Sequence, residues 1–213
     1  DRTSRGLGDV YKRQPFCHRR CFYCDFAVIP LGNKIESLEG YGSKTIKEYL
    51  IYLKKEILSI KHKSPLSTIY IGGGTPSILH PLQIKDLINL FKESYKIDYG
   101  AEITMEVDPA SFNEDDLYGF INAGINRFSL GVQSFNNQVL EQAGRRHCSK
   151  DVEKSCFWLK RAYDHGLIKS WSLDLIQNLP RSGFKEWKED LKQSLKFCPP
   201  HISICLLYTS PSP

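Results

Sequence analysis

The sequence predicts an α/β protein whose parallel sheet curves into a partial barrel. Three observations carry this reading. Segments of strand character alternate with segments of helical period from residue 43 to residue 204, the pattern of parallel βα units joined by right-handed crossovers. Polar and glycine residues gather where the strands end, at Gly72 to Thr75, Glu106 with Asp108, Gln133 and Asp174. In βα barrels that end of the sheet is where sites are built. The G-x-G-x-x-G fingerprint of a doubly wound sheet is absent, although an open sheet stays an alternative. Each polar residue taken singly also reads as a loop residue that caps the next helix.

The elements follow in order. Ile46, Tyr49, Leu50, Leu53, Ile57 and Leu58 recur at three- and four-residue spacing and predict a helix over about 43–63. The β-branched and aromatic run 67–71, ending in Gly72-Gly73-Gly74, reads as a buried strand. Pro81 opens a helix with Ile84, Leu87, Ile88 and Phe91 on one face. A strand over 102–107 stops at Asp108-Pro109, and Asn113 caps a short helix closed by Gly124. Strand 126–132, helical segments from Asn136 and over 149–165, and strand 171–176 continue the alternation. Trp187, Leu191 and Leu195 mark the next helix, which Pro199-Pro200 breaks before a strand over 201–204.

Composition sets the outer limits. With 213 residues, 41% hydrophobic and 25% charged, the chain is ordinary globular protein, not a disordered or collagen-like one. Its longest apolar runs are five residues, as at Tyr49 to Leu53, too short for a transmembrane span or a secretory core. The net charge of +5 is scattered without aromatic interleaving, so a solvated lysine-rich surface is expected and nucleic acid is not. Seven cysteines without an export signal point to a metal site in a reducing, cytoplasmic setting.

The ends read differently from the middle. Asp9 to Gln14 can be encoded by GATGTGTATAAGAGACAG, and the reverse complement, read from its second base, encodes Cys205 to Ser210. This DNA resembles a transposon-end sequencing adapter. Residues 1–14 and 205–213 are therefore expected to be non-native, leaving 15–204 as a fragment of the fold.

The chemistry concentrates in Cys17, Cys21 and Cys24, spaced C-x3-C-x2-C. Three thiolates on one loop can hold three irons of a [4Fe–4S] cluster and leave the fourth iron open. A structural Cys3His zinc site using His18 is the alternative, awkward because His18 adjoins Cys17. Inert thiols are the third reading. Cys148, Cys156 and Cys198 are dispersed, and ordinary packing is expected of them.

C-x3-C-x-Tyr-C ahead of a βα barrel resembles the radical S-adenosylmethionine superfamily. Pro15-Phe16-Cys17, Ile71-Gly72-Gly73-Gly74-Thr75-Pro76-Ser77, Met105-Glu106-Val107-Asp108-Pro109, the run from Asn126 to Phe135, and Asp174-Leu175-Ile176 narrow the likeness. They resemble the oxygen-independent coproporphyrinogen III oxidase group, which includes the HemW-type heme chaperones. The resemblance implies a partial (β/α)6 barrel, here truncated. Its native first strand is expected to be replaced by the adapter-derived end, and its C-terminal region to lie beyond Ile204.

The resemblance also implies roles. Cys17, Cys21 and Cys24 would bind the cluster, whose open iron takes the amino and carboxylate groups of S-adenosylmethionine. Tyr23 would lie against the adenine. Gly73, Gly74 and Thr75 would let the backbone approach the methionyl part closely. Glu106, Gln133, Arg145 and Asp174 would contact the nucleoside and carboxylate, with a helix-surface position the alternative for Arg145. Tyr11 falls where the family has a tyrosine but, as part of the non-native end, carries no expected role.

Within the group, the oxidase has a further cysteine where this chain has Phe26. Cys24-Asp25-Phe26 and Gly144-Arg145-Arg146-His147 resemble the chaperone branch. The first implied function is thus a heme chaperone that carries heme as cargo to a membrane-associated acceptor protein. The second is a coproporphyrinogen III oxidase acting on the porphyrinogen, and the third a zinc-stabilised binding module. Asn178 departs from the family, which usually has glycine there.

Overall fold

Alternation along each strand decides which side of the sheet faces what. Ile69 and Ile71, Ile103, Met105 and Val107, Phe128, Leu130 and Val132, and Trp171, Leu173 and Leu175 are all buried in one apolar core with the helices. The residues between them on the same strands are Tyr70 and Gly72, Thr104 and Glu106, Ser129 and Gly131, and Ser172 and Asp174. Successive side chains of a strand point to opposite faces, so the helices cover the apolar face and the polar face lines the inside of the curve.

The computed structural model describes residues 9–32, 41–60 and 65–208. In chain order these form β1 (Asp9–Gln14), β2 (Phe16–Cys17), β3 (Ile29–Pro30), α1 (Tyr41–Ser59) and β4 (Leu66–Gly73). A short 3-10 turn (Pro76–Ile78) leads to α2 (Pro81–Ser94), β5 (Ile97–Val107), α3 (Glu114–Ala123) and β6 (Arg127–Gln133). The chain continues through α4 (Asn137–Gln142), α5 (Ser149–Asp164), β7 (Ser170–Gln177), α6 (Phe184–Lys196) and β8 (His201–Leu206). The main sheet has six strands in the order β1-β4-β5-β6-β7-β8, every pair parallel. That order never reverses, so there is no switch point and the doubly wound alternative falls away. β2 and β3 pair separately and brace the two ends of the cysteine loop.

The first-strand position is filled. Asp9–Gln14 pairs with β4 from Asp9↔Thr68 to Gln14↔Gly73, and β8 runs on to Leu206. The segments expected to be non-native thus include strand residues at both edges of the sheet. Strand pairing runs through the backbone, so a short segment of any origin with suitable alternation can occupy such a place. Residues 1–8 and 209–213, and the predicted last turn of the first helix at 61–63, lie outside the described residues.

Two helix faces differ from expectation. Leu58 of α1 and Leu195 of α6 are exposed, while Asp190 and Ser194 of α6 are buried. At 100° per residue, Leu195 has rotated about 80° from Trp187, so the inward face is carried by 187, 190, 191 and 194. Asp190 can stay inside because it accepts from the Phe135 amide at 2.7 Å and the Ser134 hydroxyl at 2.8 Å. Asn178 has φ 68°, a left-handed backbone that favours glycine. Asparagine enters that region more readily than most side chains, and its amide donates to the Leu207 carbonyl at 2.9 Å. Among the described residues no helix is long and apolar enough to cross a membrane.

Candidate cofactor and metal site

The cysteine loop, between β2 and β3, folds over the ends of β4 to β7 and closes a cavity of about 270 Å³. Cys17, Cys21, Cys24, Tyr23, Gly73, Gly74, Thr75, Glu106, Gln133, Arg145 and Asp174 all line it. Residues scattered over more than 150 positions of sequence therefore share one wall. Gathering them is the work of a parallel sheet, which brings every strand's C-terminal end to the same side.

Gly73 and Gly74 answer first to the protein itself. Gly73 has φ +110°, and a Cβ there would sit 2.6 Å from the Gln14 carbonyl oxygen. At Gly74 a Cβ would be 2.4 Å from the Phe16 oxygen. The glycines let the chain entering the cysteine loop press against this strap, a reason that adds to the ligand approach expected from sequence. The Gly74 and Thr75 amides donate to Gln14 and Phe16 carbonyls, both at 2.7 Å, and the Gly73 amide to Glu106 at 3.0 Å. With its N–H groups engaged, the strap offers a ligand carbonyl oxygens, which suit an ammonium.

Arg145 is a buried hub. It follows α4 with its side chain only 12% exposed, so the helix-surface alternative does not hold. Nη2 pairs with Asp108 and donates to the Gly131 carbonyl at 3.0 Å, while Nη1 reaches Tyr23 Oη at 3.3 Å and Cys21 Sγ at 3.4 Å. Its Nε is buried with no hydrogen-bond partner among the described residues. Burial pushes the Asp108 carboxyl up, but Arg145 and His147 outweigh it and hold the group well below the usual carboxylate range. His147 is buried beside them and bonds the Val132 carbonyl at 3.0 Å through Nε2.

The loop is clamped to the segment after α4 by further bonds. Arg19 donates to the Gly144 carbonyl at 2.6 Å and also to that of Arg145. The Phe22 amide donates to Ala143 at 3.1 Å, and Tyr23 packs against Val139, Ala143 and Leu179. Sequence reasoning named Tyr23 and Arg145 but not Arg19, whose role needs a contact across more than a hundred residues.

Burial raises both Glu106 and Asp174. At Glu106 the opposing donors are Tyr70 and the Gly73 amide; at Asp174 the chief one is Ser129, 2.7 Å away. Burial likewise raises Cys17, against a donor in the Thr75 hydroxyl at 3.5 Å. Gln133 has φ 69°, a strained backbone at the cavity wall. Tyr70 was missed as a site residue; strand alternation with Gly72 was the signal that pointed it inward.

The donor set fits an iron–sulfur cluster with an open iron. Three thiols share the cavity, two of them accepting hydrogen bonds, from Thr75 and Arg145. Among the described residues no three His, Cys, Asp or Glu side chains converge as a site for one metal ion. A four-iron cube needs no such convergence, since each thiolate takes its own iron. The unpartnered Nε of Arg145 fits the carboxylate of a second ligand. His18, the fourth ligand of the zinc alternative, has Nδ1 3.3 Å from the Gly32 carbonyl oxygen.

The heme chaperone HemW of Synechocystis sp. is 37% identical over 203 residues, covering 95% of this chain and 47% of that protein. HemW of Bacillus subtilis is 34% identical over 209 residues, covering 96% and 52%. This chain spans about half the length of the curated relatives it matches. The solved structure of the coproporphyrinogen III oxidase HemN from Escherichia coli, a radical SAM enzyme, has a TM-score of 0.82 at 29% identity. It covers 95% of this chain and 44% of that one. The methyltransferase TsrM from Kitasatospora setae, solved with cobalamin and a [4Fe-4S] cluster bound, shares the fold at a TM-score of 0.56 and 12% identity, covering 94% of this chain and 34% of its own. Residues 11–192 match the family described as the Radical SAM superfamily, and the chain belongs to it.

Proposed function

We propose that this chain forms the cofactor-holding part of a heme chaperone. The observation that carries the reading is the common cavity, where the three cysteines meet the strand-end residues around a buried, incompletely bonded arginine. Cys17, Cys21 and Cys24 bind the cluster. Gly73, Gly74 and Thr75 present backbone oxygens to the ammonium of S-adenosylmethionine, and Arg145 meets its carboxylate through Nε. Glu106, Gln133 and Asp174 accept from or donate to the nucleoside, and Tyr23 walls the adenine side. A cluster held there, once reduced by an external electron donor, would supply an electron to the sulfonium. Heme is the cargo, passed on to an acceptor protein at the membrane from a chaperone resident in the cytoplasm.

Phe26 supports the chaperone over the oxidase. It is half-exposed on the cavity rim, with the Arg13 guanidinium 5.4 Å above its ring, in the place of the oxidase's extra cysteine. The likeness to the HemN structure keeps the oxidase as the second reading. Anaerobic incubation of the cluster-loaded protein with heme and, separately, with coproporphyrinogen III and S-adenosylmethionine separates the two. The chaperone reading expects heme retained through gel filtration and no protoporphyrinogen. Multiple-turnover decarboxylation would promote the oxidase.

A further inference from the structure

Glu106 is held by more than its own strand. Tyr70 Oη on β4 donates to Oε1 at 2.9 Å, and the Gly73 amide donates to Oε2 at 3.0 Å. The Tyr70 ring is itself stacked on Tyr11 of β1, with centroids 5.1 Å apart and 18° between planes. Gly72 completes the fit by omission, since a Cβ there would lie 2.7 Å from Glu106 Oε1 and 2.8 Å from the Tyr70 ring. A carboxylate has about four acceptor positions on its two oxygens. One on each oxygen is taken from the β4 side, so the others remain for a ligand in the cavity that Glu106 lines.

We propose that Tyr70 is a positioning residue for the cofactor: its hydroxyl fixes Glu106 so that the free acceptor positions meet the ribose hydroxyls of S-adenosylmethionine. This rests on the cofactor reading above and adds a residue that touches no cofactor atom. The same bond opposes the rise that burial imposes on the Glu106 pKa. Asp174 raises its pKa and Arg13 lowers it, and Tyr11 lies close enough to feel the Glu106 charge. Losing the Tyr70 donor therefore moves Glu106 toward its protonated form, in which one acceptor position is lost.

Tyr70→Phe keeps the stacked ring and removes only the hydroxyl, and Gly72→Ala keeps the hydroxyl while crowding the carboxylate. Two readouts test the proposal. The first needs no cofactor: carbon-13 NMR of glutamate-labelled protein, with Glu106→Gln for assignment, follows the Glu106 titration. It should move to higher pH in Tyr70→Phe and stay in place in Tyr49→Phe, whose hydroxyl bonds the Arg13 carbonyl instead. The second is equilibrium dialysis of S-adenosylmethionine with cluster-loaded protein, where both Tyr70→Phe and Gly72→Ala should weaken binding about tenfold. An unmoved Glu106 titration, or unchanged affinity in Tyr70→Phe, overturns the role of Tyr70. Failure of the unsubstituted protein to bind S-adenosylmethionine, with the titration shift present, overturns the cofactor reading and the proposal with it.

Discussion

Arg145 Nη1 lies 3.4 Å from the Cys21 sulfur. That contact joins the cysteine loop, early in the chain, to the segment after α4, and the guanidinium is held in place by Asp108 on β5's following loop. The loop is thus shaped by the protein's own charges.

Asp108→Asn should reveal this. It leaves a buried guanidinium without its counter-charge, at a cost of about 3–5 kcal/mol in urea unfolding under reducing conditions. The linkage has a definite sign. Asp108 is depressed below its unfolded value, so its contribution is present above about pH 4 and lost as pH falls through the depressed value. The substituted protein should lose that part of its acid-limb slope.

Iron loading separates working from packing thiols. Reconstitution with iron and sulfide should give about four irons per chain. Cys21→Ala should abolish it. Cys156→Ala, in the core beside Val152 and Leu159, should load normally with a modest loss of stability. Stoichiometric zinc uptake without iron would favour a zinc module.

Asp190 supplies a test away from the cavity. Asp190→Ala removes the acceptor for Phe135 and Ser134 and should cost about 1–3 kcal/mol. Burial raises its folded pKa, so the folded state binds the proton more tightly and stability from this group falls as pH rises from about 4 through that raised value. Asp190→Asn should flatten this dependence, read as urea midpoints at the two ends of the range.

The Asp190 case shows where sequence reading stops. Strand–helix alternation, the glycine strap and the cysteine spacing are periodic or local signals, and from them the architecture and the cavity-lining residues were legible. Asp190 was not, because a charged residue on an inward face is invisible to a hydrophobic pattern. Leu58 and Leu195 erred the other way: a three- and four-residue period marks a face without giving its width. The Tyr70–Glu106 and Arg19–Gly144 bonds depend on register between strands and on loop docking, which a linear pattern does not encode. β5 begins at Ile97, ahead of the predicted 102, because its exposed first half pairs only through Leu66 beside a register shift.

On the proposed function, one cavity holds a cluster with an open iron and a sulfonium cofactor bound to it. Electron paramagnetic resonance of the reduced, reconstituted protein, recorded with and without S-adenosylmethionine, tests it most directly. The cluster signal should change on adding the cofactor, and change much less in Arg145→Lys, whose ammonium lacks the Nε donor. A cluster signal that S-adenosylmethionine leaves untouched in the unsubstituted protein would contradict it.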